Sequence, residues 1–171
     1  MADGVRLELD SDAALDALRR ALEVTTNPRP MLASIGEGLL ASTEDRFRDE
    51  RAPDGTPWAP LSPSYRRVKR KNANRILWLE GRLGGFLRYQ LESAAVLVGS
   101  DQATAVWHQF GTRPYTITPK SGKALSWPGG PGPRKKVSHP GLPARPFLGV
   151  SSDDEEMIVE EAMETLRQAL S

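Results

Sequence analysis

Hydrophobic positions along the chain follow strand spacing in some segments and helical spacing in others, which predicts a mixed α and β architecture. Apolar and charged residues alternate from Val5 to Leu9, so we expect a short strand there. Leucine and alanine recur at helical spacing from Ala14 to Leu22, behind a cap at Ser11 or Asp12. The prolines of Asn27–Pro30 end this first helix.

A longer helix is predicted from about Met31 to Glu50. Gly36 and Gly38 each cost roughly 1 kcal/mol relative to alanine inside a helix, so we expect them to allow close packing on a sheet or a second helix. The charged end of the helix, from Glu44 to Arg51, is expected to be exposed apart from Phe47. The predicted buried stripe consists of Leu32, Ile35, Leu39, Thr43 and Phe47.

A proline-rich turn follows the long helix. Four prolines between Ala52 and Pro63 prevent a helix there, and Asp54-Gly55 is typical of a turn. Trp58 and Leu61 are expected to pack back onto the body of the protein. The predicted structural anchors are Asp54, Gly55 and Trp58.

Residues 62–75 are predicted to form a short helix and a mobile basic loop. Lysine and arginine neutralise phosphates and release counterions, so these residues are candidate contacts to DNA in a lumen or to a partner. Aromatic residues that would stack on bases are nearly absent, with Tyr65 before the run and Trp78 after it. A solvated or partner-facing loop is therefore favoured. The run, called the basic run below, contains Arg66, Arg67, Lys69, Arg70, Lys71 and Arg75.

The next segments predict a hairpin and a short helix. Two strands are expected between Gly85 and Ser100, where polar and apolar residues alternate. A helix from Ala103 to Phe110 is closed by Gly111, since glycine is the usual residue just past a helix end.

Residues 112–142, called the arm below, are rich in glycine, proline and basic side chains. We expect the arm to be extended, exposed and without an active site. Tyr115–Thr118 and Ala124–Trp127 are predicted to pair as two strands, while residues 134–137 return as an edge strand or stay loose.

The chain is predicted to end in a helix capped by Ser151 or Ser152. Acidic residues from Asp153 to Glu156 fill its first turn, where the helix dipole favours negative charge. Its predicted buried stripe is Ile158, Ala162, Leu166 and Ala169. The expected fold is α+β in one domain of residues 1–171. In it a small antiparallel sheet packs against the long helix and the C-terminal helix, with the Pro/Gly-rich arm extending from it.

Composition argues against catalysis and cofactor binding. The 171 residues carry a net charge of +1 and no cysteine, which excludes disulfides, thiolate nucleophiles and cysteine-bound metals. The two histidines, His108 and His139, have no partner at metal-ligand spacing. No Gly-x-Ser-x-Gly motif occurs. No apolar run approaches the roughly 18 residues that cross a bilayer. We therefore expect no enzyme activity, no cofactor and no membrane association.

A set of short motifs, in this order and spacing, resembles the phage virion morphogenesis family, the tail completion proteins of Mu-like and related tailed phages. The resemblance covers roughly residues 31 to 170. Its motifs are Ile35 to Phe47, Asp54 to Leu61, Gly81-Arg82-Leu83, Val98-Gly99-Ser100, Val106 to Gly111 and Leu142 to Gly149.

The resemblance implies a structural virion protein that acts late in tail assembly, at the neck or the head-proximal tail end. It implies a ring of copies, six-fold by preference, in contact with a connector or stopper and with a tail terminator or tube. Genomic DNA would pass through that ring. The protein would lie in the host cytoplasm during assembly and in the virion afterwards.

His108 and Arg145 match motif positions of this family, whereas the long arm between them departs from its leanest members. His108 is expected to fix the start of the arm, and Arg145 to bond backbone carbonyls or a carboxylate. The predicted partner or subunit contacts are His108, Phe110, Gly111, Tyr115, Trp127, Arg145 and Phe147.

Two other functions remain open from the sequence. One is a tail terminator ring that stops polymerisation of the tail tube. The other is a small nucleic-acid-binding protein that uses the basic run. The acidic C-terminal helix and the basic run have opposite charge, so a head-to-tail ring of copies would be able to pair them.

Overall fold

A computed structural model describes residues 12–80, 83–128 and 130–171, and it confirms the α+β class. The strand predicted at Val5–Leu9 and the Gly81-Arg82 pair lie outside these residues. The described elements are α1 (Asp12–Thr26), α2 (Arg29–Asp49), α3 (Pro63–Val68), β1 (Leu87–Leu91), β2 (Val96–Ser100), α4 (Ala105–Phe110), β3 (Tyr115–Ile117), β4 (Val137–His139) and α5 (Ser152–Leu170).

Helix α2 is the centre of the fold, because both the β1–β2 hairpin and α5 pack against it. The hairpin is antiparallel, with Leu87 opposite Ser100 and Leu91 opposite Val96. A Cβ atom on Gly36 would lie 2.7 Å from the Tyr89 ring. One on Gly38 would lie 2.9 Å from Met157 of α5. The expected role of these glycines in close packing is confirmed.

The core forms where the end of α2 meets the proline-rich turn and the segment after the arm. The Phe47 ring lies 5.3 Å from that of Trp58 and 5.1 Å from that of Phe147, measured between centroids. Trp58 also donates a hydrogen bond from Nε1 to the Pro146 carbonyl over 2.7 Å. Leu61 packs against this cluster, as expected. The other buried members are Ala52, Ile76, Leu83, Leu87 and Ala105.

The expectation that the charged end of α2 is exposed is wrong at Arg46, which is buried. Its guanidinium donates to the carbonyls of Phe147 (3.2 Å) and Gly149 (2.7 Å) and pairs with the carboxylate of Asp154. It also donates to the Ser42 hydroxyl over 3.2 Å. A buried charge is tolerated when it is paired and hydrogen-bonded, and Arg46 satisfies both conditions.

Asp154 has two roles at the start of α5. Ser151 and Asp154 form a capping box, in which the backbone N–H and the hydroxyl of Ser151 both donate to the carboxylate over 2.7 Å. Burial raises the pKa of Asp154, but hydrogen bonds from Ser42 and Ser151 and the charge of Arg46 outweigh it, so the net pKa is lowered. This stabilisation is present above about pH 4. It is lost as the pH falls through the lowered pKa.

Helix α1 packs on α5, and Arg20 donates from Nε to the Ala169 carbonyl over 2.9 Å. The half-buried side chains of α1 are those of Ala17, Ala21 and Val24. Its leucines face the other way, with Leu15, Leu18 and Leu22 exposed by 46%, 61% and 63%. No helix in the described part of the chain is both long and apolar enough to cross a membrane.

The predicted pairing of Tyr115–Thr118 with Ala124–Trp127 is wrong. Strand β3 pairs instead with β4, with Tyr115 opposite His139 and Ile117 opposite Val137, and β4 shares only Val137 with the segment 134–137 that was expected to return as an edge strand or stay loose. Leu125 forms only an isolated bridge with Arg134. The arm is thus a two-stranded ribbon whose returning strand directly follows the basic residues Arg134, Lys135 and Lys136.

Replacing Asp154 by asparagine is expected to lower the free energy of unfolding by about 3–5 kcal/mol, because the buried Arg46 would lose its counter-charge. The matched control is Asp153→Asn, one residue earlier and exposed. Its effect should stay below about 1 kcal/mol, the scale of a helix-dipole contact. Urea unfolding of both variants tests this, and equal effects would contradict a buried ion pair at Arg46.

Candidate functional site

The base of the arm is defined by Gly111-Thr112 on one strand and Gly141-Leu142 on the other. The Thr112 N–H donates to the Leu142 carbonyl, and the Leu142 N–H donates to the Thr112 hydroxyl, both over 2.9 Å. A Cβ on Gly141 would lie 2.2 Å from the Thr112 carbonyl oxygen, and one on Gly111 would lie 2.7 Å from the Leu142 carbonyl oxygen. The two strands therefore approach more closely than any residue larger than glycine would allow at positions 111 and 141.

Beyond its base the arm is an exposed ribbon. The Tyr115 ring stacks on the His139 ring with centroids 4.8 Å apart. His139 accepts a hydrogen bond at Nδ1 from the Gly141 N–H over 3.1 Å, which ties the stack to the base. Leu125 and Arg134 exchange two backbone hydrogen bonds near the tip, so the ribbon is closed there too.

Gln109 joins α4 to the segment that leaves the arm, a role that its place in the sequence motif did not reveal. Its side-chain oxygen accepts from the N–H groups of Phe147 and Leu148 over 3.0 Å, and its amide donates to the Leu148 carbonyl over 2.8 Å. The Arg145 N–H donates to the His108 carbonyl over 2.7 Å. These bonds fasten both ends of the arm to one another.

Arg145 bonds backbone carbonyls, one of the two expected alternatives. Its guanidinium donates to Ala59 over 2.7 Å and to Pro60 over 3.1 Å, and the side chain is buried. Asp54 accepts from the Thr56 N–H over 2.9 Å, and Gly55 has φ 79°, so the Asp54-Gly55 turn places Trp58 in the core.

The residues predicted at partner contacts divide into two groups. Phe110, Tyr115 and Trp127 are exposed, with Phe110 exposed by 75%. Phe147 and Arg145 are buried within the subunit, so in this structure they support the surface and are not part of it. Sequence reasoning missed two exposed members of α4 beside Phe110, namely Val106 and Trp107. Three apolar side chains on a helix of six residues are the signal that was available.

His108 lies at the edge of a cleft of about 1030 Å³ between the basic run and the base of the arm. Burial, followed by the charge of Arg145, lowers the pKa of His108. Its Nδ1 is buried and has no hydrogen-bond partner among the described residues. The cleft is mainly apolar, with Leu61, Tyr65, Leu77, Trp78 and Leu142 among its lining residues.

Half of the basic run makes contacts within the subunit. Lys69 donates from Nζ to the carbonyls of Asn72 and Arg75, and burial lowers its pKa. Arg75 donates to the carbonyls of Phe47 and Arg48 at the end of α2 over 3.0 and 3.1 Å.

The rest of the run is more exposed. Arg66 donates to the Asn74 side chain over 3.0 Å. The exposed cations that remain for external contacts are Arg67, Arg70 and Lys71.

Charge is separated along the second half of the chain. Residues 102–152 contain seven basic residues and no acidic one. Residues 153–171 contain seven acidic residues and one basic one, Arg167. Within the described residues, no group of three or more His, Asp or Glu side chains has an arrangement that would bind a metal ion. The arrangement therefore offers a cationic, aromatic ribbon and an anionic helix, both suited to binding a partner.

Comparison with known proteins gives a consistent result. The model of the phage virion morphogenesis family matches residues 9–167. The putative capsid assembly protein G of Escherichia phage Mu is 25% identical, over 96% of this chain and 99% of the relative. The tail completion protein S of Escherichia phage P2 is 29% identical, over 77% of this chain and 79% of the relative. No solved structure gives a significant match.

Replacing Gly141 by alanine tests the close approach at the base of the arm. The matched control is Gly122→Ala, which also has a positive φ but no neighbouring atom within 4 Å of the added Cβ. The control should cost about 1–2 kcal/mol of backbone strain. Gly141→Ala should cost about 1–3 kcal/mol more, because overpacking adds to that strain. Urea unfolding measures both values, and equal losses would show that the base is not tightly closed.

His108 should make stability depend on pH below about 6.5, the ordinary pKa of histidine. Because its folded pKa is lowered, its contribution is fully present above about pH 6.5. It is lost as the pH falls from there through the folded pKa, since the unfolded chain binds the proton more readily. His108→Gln should flatten this part of the profile of unfolding free energy against pH. His139→Gln is the control, and a profile unchanged by His108→Gln would refute the assignment.

Proposed function

Since the chain belongs to the phage virion morphogenesis family, we propose that it is a structural protein of the neck or head-proximal tail end. There it completes the tail and enables heads and tails to join. The two relatives support this place, because one is named for tail completion and the other for capsid assembly. A protein that works at the junction between the two structures suits both names.

The observation that carries the proposal is the contrast between the base of the arm and its surface. The two segments that flank the arm, α4 and residues 145–148, are joined by a backbone hydrogen bond from Arg145 to His108 and by hydrogen bonds of the Gln109 side chain. The ribbon itself exposes Tyr115 and Trp127. A ribbon with a fixed direction and an exposed aromatic surface is suited to contact with another protein.

A ring of copies is the oligomer that fits these surfaces. Exposed apolar residues lie on several elements, including α1, α4 and α5, so copies that meet through two different elements form a heterologous contact, and heterologous contacts close into rings when the rotation allows. We favour six-fold symmetry for this ring, as the resemblance to tail completion proteins implies. Exposed Arg67, Arg70 and Lys71 would tolerate DNA passing through the ring without reading its sequence.

Deleting the gene from its phage tests the function. Completion predicts tails of normal length that remain unjoined to heads in electron micrographs, and the protein supplied in trans should restore joined particles. The joined particles restored in this way should contain the protein, as mass spectrometry can verify. Overlong tails would instead indicate a tail terminator. Joined, infectious particles without the protein would refute both functions.

A nucleic-acid-binding role makes a separate prediction. DNA binding by the purified protein would fall steeply with salt and would be abolished by neutralising Arg67, Arg70 and Lys71 together. Binding that is absent at low salt would remove that role and leave the completion function standing.

A further inference from the structure

The charges and dimensions of two surfaces of this chain match each other. We propose that the arm of one copy docks along the outer face of helix α5 of a neighbouring copy. This inference rests on the proposed function, because it specifies the contact that would build the ring.

The arm supplies a cationic and aromatic surface. Trp127 and Tyr115 are exposed on it. None of the ion pairs among the described residues involves an arm side chain. These cations are therefore available to a partner. They are Arg113, Lys120, Lys123, Arg134, Lys135 and Lys136.

Helix α5 supplies an anionic surface with an apolar centre. At about 100° per residue, its exposed Val159, Met163 and Leu170 fall within roughly 40° of one another on the helix. Exposed carboxylates border this stripe, chiefly Glu155, Glu156, Glu160 and Glu164. Helix α5 already packs on α1 and α2 with its other face, so this stripe is a second contact surface, and no element among residues 12–80, 83–128 and 130–171 covers it.

The two surfaces are of similar length. The returning segment of the arm runs eight residue steps from the Arg134 bridge to the Leu142 bridge, and β4 forms its centre. At about 3.3 Å per step, this segment reaches at most roughly 26 Å. Helix α5 has 19 residues, and at about 1.5 Å per residue it is roughly 28 Å long. The ribbon is therefore able to lie along the whole helix.

A second copy of the chain would contact more of these exposed surfaces than DNA would. DNA would use the cations of the arm but would be repelled by α5, and the exposed aliphatic stripe would remain uncovered. A neighbouring copy pairs cations with carboxylates and covers Val159 and Met163 with aromatic side chains. The arm and α5 are different surfaces, so each copy would contact one neighbour through its arm and the other neighbour through its α5. This is the contact pattern of a closed ring.

Charge reversal in both directions tests the contact. The arm variant is Lys135→Glu with Lys136→Glu, and the α5 variant is Glu156→Lys with Glu160→Lys. All four side chains are exposed, and none takes part in a hydrogen bond that closes the base. Each variant should unfold at the wild-type urea concentration. A matched control reverses an exposed ion pair on α2, as Asp45→Lys with Arg48→Glu.

Self-association is measured by sedimentation velocity at low salt, and head–tail joining by complementation of the deletion phage. Each reversal alone should weaken self-association about tenfold and reduce joining. In a mixture, the arm variant should associate with the α5 variant. A chain carrying all four changes should recover most of the wild-type association. The α2 control should behave as wild type.

Three results would overturn the proposal. An effect of the arm variant without an effect of the α5 variant would mean that the arm binds DNA or another protein. Losses in both variants without recovery in the combined chain would mean that the two surfaces do not face each other. Full complementation by every variant would remove the arm–α5 contact while leaving tail completion intact, because the deletion phage tests that function separately.

Discussion

The buried guanidinium of Arg46 joins the end of α2 to two neighbouring parts of the chain that lie 101 to 108 positions later in the sequence. It reaches the carboxylate that begins α5 and the carbonyls of Phe147 and Gly149, just after the arm. A buried charge left without these partners would cost several kcal/mol, so the three parts are fixed together or not at all. The neighbouring Phe47, Trp58 and Phe147 rings form a small core around the same point. The position of the arm depends on this cluster.

The hydrogen bonds and close contacts around this cluster continue as far as the base of the arm and end there. Gln109 ties α4 to Phe147 and Leu148, and Gly141 lets the two strands touch. Beyond that point the ribbon pairs mainly with itself. The molecule therefore has a rigid supporting part and an exposed ribbon, and we propose that the ribbon binds a partner. Such a division suits a protein whose function is contact within a larger assembly.

Local signals in the sequence were sufficient for the helices, the β1–β2 hairpin and the Ser151 cap of α5, because each depends on neighbouring residues. Local signals were not sufficient for features that depend on partners distant in the sequence. Arg46 lies in a charged run typical of an exposed helix end, and its partner Asp154 is 108 positions away. Periodicity likewise identified the strand at Tyr115 but not its pairing with Val137–His139, because alternation does not specify a partner. Helical spacing identifies Leu15 as part of α1 but does not specify which way its side chain faces, and it faces outward.

Amide hydrogen exchange tests most directly whether the arm acts by contact. It would be compared between the isolated protein and purified tails, for residues 113–128 and 130–140 and for the backbone around Phe47 and Phe147. The arm should exchange rapidly in the isolated protein and be protected in tails, while the backbone around the core cluster should be protected in both. Equal exchange of the arm in the two samples would contradict the account.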